Sequence, residues 1–149
     1  MKIKRLTLLI ILMLLFISVT IYWFMDTSSA KLVEIVEIQQ QKDDFIVHIR
    51  VETNDKGFQI LRSLEYTGDE PITIDHRTPL ISVSIIQKNH DFTGSHVNKV
   101  LNPGNIYHPQ KPQSYNSLEE GDYNLYMHSQ FFIDGEEVNI FAEKEISFQ

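Results

Sequence analysis

The chain has no cysteine. That excludes disulfides, a lipid-modified cysteine, thiolate metal sites and cysteine nucleophiles together. It has no N-x-[ST] acceptor, no glycine-rich phosphate loop and no G-x-S-x-G elbow, so phosphate-cradling and serine-hydrolase chemistry lack their usual frames. Ser95 and Ser117 have no base at a defined spacing. Acids are missing from the first 25 residues, where Lys2, Lys4 and Arg5 are the only charges. The rest of the chain carries 20 acids against 10 bases, a net of −10. So acidic a surface repels phosphate backbones, and a nucleic-acid partner is excluded.

The same N-terminal region holds a long apolar run. Leu6 to Met25 contains no charge and no proline. As a helix it covers roughly 30 Å, the thickness of a bilayer's hydrocarbon core. The basic residues before it and Asp26 after it predict a single-pass helix with its N-terminus inside and the body outside. Tyr22 and Trp23 sit where an outer aromatic belt anchors such a helix. Residues 1–25 are therefore expected to form a membrane anchor, 26–31 a stalk and 32–149 one exported domain. A cleaved signal peptide is the competing reading, because Ser28-Ser29-Ala30 offers small residues for cutting after Ala30.

The body reads as strands. Leu32–Ile38 is β-branched and suits a sheet edge, with Gln39–Asp44 as the following turn. Phe45–Val51 alternates Phe45, Val47, Ile49 and Val51 on one face. Phe58–Tyr66 does the same, with Arg62 as the exception on its apolar side. Pro71–Ile74 and Leu80–Gln87 are two more strands. Residues 89–116 hold three prolines, two glycines and little periodicity, which predicts a long connection with one or two short strands. Asp122–Ile133 and Val138–Phe148 are long strands joined at Asp134-Gly135, a hairpin pair that tolerates positive φ. A bulge is expected near Ser129-Gln130. About seven strands in a single domain predict an all-β fold, an immunoglobulin-like antiparallel β-sandwich. Leu118-Glu119-Glu120-Gly121-Asp122-Tyr123 has the form of a tyrosine corner, and Leu101-Asn102-Pro103-Gly104 marks a crossing between sheets.

The succession of T-G-D-E-P-I-T-I (Thr67–Ile74), L-N-P-G (Leu101–Gly104) and L-E-E-G-D-Y (Leu118–Tyr123) resembles bacterial immunoglobulin-like domains of the BsuPI type. The resemblance covers about residues 45–133. That family includes small proteinase inhibitors, so it implies the sandwich fold and, for a released form, inhibition of an extracellular protease. No inhibitory residue of the family maps onto the chain.

Three further groups of residues bear on function. His76, His90, His96 and His108 fall in the loop-rich half, at spacings of 14, 6 and 12 that match no ligand template. They are the candidates for a small metal-binding protein, the third functional class. Acidic turns (Asp43-Asp44, Asp69-Glu70, Glu119-Glu120-Asp122 and Asp134 with Glu136-Glu137) lack calcium-loop spacing and read as solubilising tips. Tyr107, His108 and Tyr115 make the 106–115 connection aromatic and proline-rich, a candidate contact for a partner protein set against a role in covering the domain's open end. The expectation is a non-enzymatic protein-binding or accessory module with no cofactor. The bilayer would be its partner through residues 6–25 and a protein at the membrane's outer face would be the other.

Overall fold

A computed structural model describes residues 11–22 and 30–149. Residues 11–22 are helical. Ser18 Oγ donates to the Leu15 carbonyl at 2.8 Å and Thr20 Oγ1 to the Ile17 carbonyl at 2.9 Å, so hydroxyls that would otherwise project are tied to the helix's own backbone. Among the described residues, no helix is long and apolar enough to cross a membrane. Both ends of the expected span, with Leu6, Trp23 and Met25, lie outside the described residues.

Ten strands follow in two antiparallel sheets: β1 (Val36–Lys42), β2 (Phe45–Asn54), β3 (Gly57–Tyr66), β4 (Ile72–Arg77), β5 (Ile81–Ile85), β6 (His96–Leu101), β7 (Ile106–Tyr107), β8 (Gln113–Asn116), β9 (Gly121–Ile133) and β10 (Glu136–Phe148). One sheet runs β1-β2-β3, with β7 and β8 sharing the free edge of β3. The other runs β10-β9-β4-β6, with β5 also paired to β9. Alternation dictates what faces inward. Phe58, Ile60, Leu64 and Tyr66 of β3 are buried, as are Leu125, Met127 and Phe131 of β9. Aromatic rings join the two layers. Phe45 meets Phe131 at 4.8 Å and Phe58 meets Phe148 at 5.2 Å, spacings that suit tilted and edge-on pairs.

Several expectations change in detail. Leu32–Ile38 is not one strand. Leu32 bridges Phe148, and Lys31 and Gln149 exchange backbone hydrogen bonds of 2.7 and 3.0 Å, after which the chain switches sheets to enter β1. Ala30 is buried, so residues 30 and 31 pack with the strands. The turn shrinks to Asp43-Asp44, because β1 stays paired to Lys42 and Asp43 itself adopts φ 50°. Residues 89–116 hold three strands rather than one or two; β7 is only two residues long, too short for alternation to register.

No bulge interrupts β9. Its register with β10 is continuous from Gly121 to Ile133. The break lies on its other flank, where the partner changes from β5 to β4 around Thr78-Leu80. The hairpin at Asp134-Gly135 has positive φ at both residues, 51° and 85°, as its type requires. The tyrosine corner also forms, with Tyr123 donating its hydroxyl to the Glu119 carbonyl at 3.0 Å. A second one closes β3, where Tyr66 donates to the Glu70 carbonyl at 2.7 Å. An added Cβ on Gly68 would meet the Tyr66 ring, so that turn needs glycine.

Candidate functional site

Two regions concentrate chemically capable side chains. The first is the strap that closes the open edge of β3. β8 covers Gly57–Ile60 of that edge and β7 covers Leu64–Glu65, which leaves Leu61–Ser63, paired to β2 on their other side, without a strand partner there. Residues 108–112 span the gap. Gln110 fixes them to the opposite sheet, its side-chain amide accepting from the Ile81 N–H at 3.3 Å and donating to the Ile81 carbonyl at 2.8 Å. One side-chain amide thus stands in for a strand's ladder bonds.

Arg62 lies beneath this strap at 7 % exposure. Its Nη2 donates to Gln113 Oε1 at 2.7 Å, while its buried Nε has no partner. Burial pulls its pKa down from the ordinary arginine value, against the opposing Tyr115 phenol. The sequence had marked Arg62 as a misfit on an apolar face, and the fold leaves it there.

The tyrosines of the strap turn inward. Tyr115 stacks on core Phe58 at 5.1 Å and 10°. Tyr107 places its hydroxyl 3.1 Å from His76 Nε2, and Lys99 Nζ sits 5.3 Å above its ring. Both are half-buried, the position of covers for the open edge of β3. His108 is exposed on the rim.

The second region is the outer face of β9 and β10. His128 and Phe141 are directly paired across the strands and stack at 4.2 Å. Phe92 meets the same imidazole edge-on at 4.8 Å, and His90 lies 5.4 Å from it. His128 Nε2 is 2.6 Å from Asn139 Oδ1, and His90 Nδ1 is 3.1 Å from Ser82 Oγ. Lys88 sits 4.9 Å over the Tyr126 ring and pairs with Glu143 at 3.2 Å. Phe141 stays 61 % exposed beside a hollow of about 470 Å³ that Lys88, His90, Tyr126 and Glu143 help to line. Sequence spacing hid this cluster because its members come from β9, β10 and the 88–92 connection.

The four histidine candidates do not converge. His76 is buried between β4 and the strap, His90 belongs to the aromatic face, His96 lies 3.8 Å from Asp75 at the sheet edge, and His108 is on the strap. Among the described residues, no group of three His, Cys, Asp or Glu side chains is placed to hold a metal ion. Three of the four acidic turns share one end of the body: the Thr67 N–H donates to the Asp44 carbonyl at 2.8 Å, and the register sets Asp134-Gly135 at that end too.

A pair the sequence reading missed is His48 and Glu65, at 2.7 Å on the outer face of the β2-β3 sheet. They are diagonal neighbours across paired strands, 17 residues apart in the chain. Ser63 stands opposite His48, yet no hydrogen bond joins them, and the face is a regular ladder whose amides are spent on strand pairing.

His76 carries a pH prediction. Burial holds its imidazole below the usual range, with the nearby His96 charge acting in the same direction and the Arg77 carbonyl and Asp75 opposing. The unfolded chain then binds the proton more readily, so this contribution to stability is complete above about pH 6.5 and is lost as pH falls toward the lower folded value. Urea midpoints measured from pH 7.5 to 5 should drop, and His76→Gln should flatten the slope. His90, also lowered chiefly by burial, contributes in the same direction. An unchanged slope in the variant rejects the assignment.

No family model, curated protein or solved structure matches the chain.

Proposed function

We propose that this is a membrane-anchored, outward-facing immunoglobulin-like domain of BsuPI type that binds another protein without catalysing a reaction. The helix at 11–22 belongs, in this reading, to a span covering Leu6–Met25. Its exposed Phe16, Leu14 and Met13 suit lipid, and its hydroxyls are already bonded internally.

The observation that carries the binding role is the outer face around Phe141. A largely exposed phenylalanine stacks on His128, whose ring also meets Phe92 edge-on, and Lys88, Glu143 and Asn139 rim it. That is an apolar anchor with a polar border, the make-up of an interface hot spot. Of the imidazoles, His76 has both ring nitrogens engaged, by the Arg77 carbonyl and the Tyr107 hydroxyl, while His128 and His48 each have Nε2 engaged, by Asn139 and Glu65.

A photo-reactive residue at Tyr126, in the full chain in its native membrane, tests this. A discrete adduct with another membrane or surface protein should form and should fall about tenfold or more with Phe141→Glu. Loss of a buried aromatic anchor typically costs upward of about 2 kcal/mol. An adduct insensitive to Phe141→Glu, or none at all, rejects the face.

A further inference from the structure

We propose that the hollow beneath the 108–112 strap is a carboxylate-binding site with Arg62 as its receptor. Arg62 is the reason. It lies at 7 % exposure with Nε unbonded, and among the described residues it makes no ion pair, in a chain with 20 acids. A buried guanidinium with no counter-anion is an expensive arrangement, and an apolar side chain of similar size would serve packing better. A bound anion removes that cost.

The surroundings are built for one. The gap at Leu61–Ser63 in the β3 edge opens a hollow of about 370 Å³ lined by Leu61, Arg62, His108, Pro109, Lys111 and Pro112, with Gln110 as the remaining wall. No acid lines it. Lys111 and His108 add donors at the rim. Gln110 pins the strap to Ile81 through two hydrogen bonds, and two prolines fix its backbone, so the walls stand ready before a ligand arrives.

The scarcity of backbone N–H groups in the strap favours a carboxylate over a phosphate. The planar guanidinium fork matches two carboxylate oxygens, and Arg62 itself lines the hollow, with its Nε–H sealed from solvent and without a partner. Phosphate sites draw on runs of backbone N–H groups, whereas Pro109 and Pro112 have none. The carboxylate can come from an acidic side chain or from the C-terminus of an extended peptide. The proposal does not depend on the Phe141 face, which lies on the other sheet.

The test is a titration of the full chain in neutral detergent at constant ionic strength, following the Arg62 Nε–H resonance. The probes are N-acetyl-glutamate amide for a side-chain carboxylate, N-acetyl-alanine for a terminal one, and inorganic phosphate. A saturable shift with either carboxylate supports the site, and the tighter of the two identifies the source. Arg62→Lys should weaken binding about tenfold or more, and Lys111→Ala, at an exposed position that leaves the fold intact, a few-fold. Arg62→Met should fold and show no saturable response at neighbouring amides. An unmoved Arg62 resonance, a shift equalled by chloride, or phosphate binding tighter than both carboxylates overturns the proposal.

Discussion

Phe131→Ala should remove about 3–5 kcal/mol of stability. The side chain is wholly buried on β9 and meets Phe45 of the opposite sheet at 4.8 Å. Deleting its ring loses the transfer free energy and leaves a cavity that two β-layers cannot collapse to fill. With no disulfide to limit the unfolded chain, that loss falls on a domain whose total stability is of order 5–15 kcal/mol. At about 2 kcal/mol per molar urea, the midpoint should drop by roughly 2 M. Phe141→Ala is the control. It removes a ring of the same size from the outer face, where a cross-strand aromatic pair contributes no more than about 1 kcal/mol. If both variants shift equally, or Phe131→Ala by under about 1 kcal/mol, the cross-sheet contact is not what joins the layers.

That contrast shows what was legible in the sequence. Period-two alternation is strong when one face meets a core, so Phe45–Val51, Phe58–Tyr66 and the long closing hairpin could be read from residues alone. The Leu118–Tyr123 corner was legible because its hydrogen bond is local, four residues apart. The strap was not. β7 and β8 pair over two and four residues, and the Gln110 clamp is a side-chain bond to a residue 29 positions away. Nothing local signals it. Arg62 was visible as an anomaly, but its lack of an acid partner is a fact of three dimensions. The Phe141 face was hidden for the same reason, since stacking across β9 and β10 depends on register, and a bulge near Ser129 would have re-aimed His128 away from Phe141.

The N-terminal helix carries the other large expected effect. Leu14→Asp together with Ile17→Asp should convert the full chain from a carbonate-resistant membrane species to one that no longer inserts. Aspartate near the centre of a span costs about 2.5–3.5 kcal/mol, and each lost Leu or Ile forfeits about 0.5 kcal/mol more. Two substitutions therefore cost about 6–8 kcal/mol, comparable with all that some sixteen apolar residues contribute at about 0.3–0.6 kcal/mol each. Val33→Asp, at an exposed position of the body, should leave the distribution unchanged. Apparent mass separates retention from cleavage in the same experiment. The intact chain is 17.4 kDa, and a product starting at Lys31 is smaller by about a fifth. Geometry constrains when such a cut can happen. Ala30 is buried and Lys31 is bonded to Gln149 at the far end of the chain, so a protease reaches the Ala30–Lys31 bond only before the body folds. A membrane-bound species of full mass that the double aspartate variant abolishes supports the anchor, whereas a short species in the medium favours the released protease inhibitor.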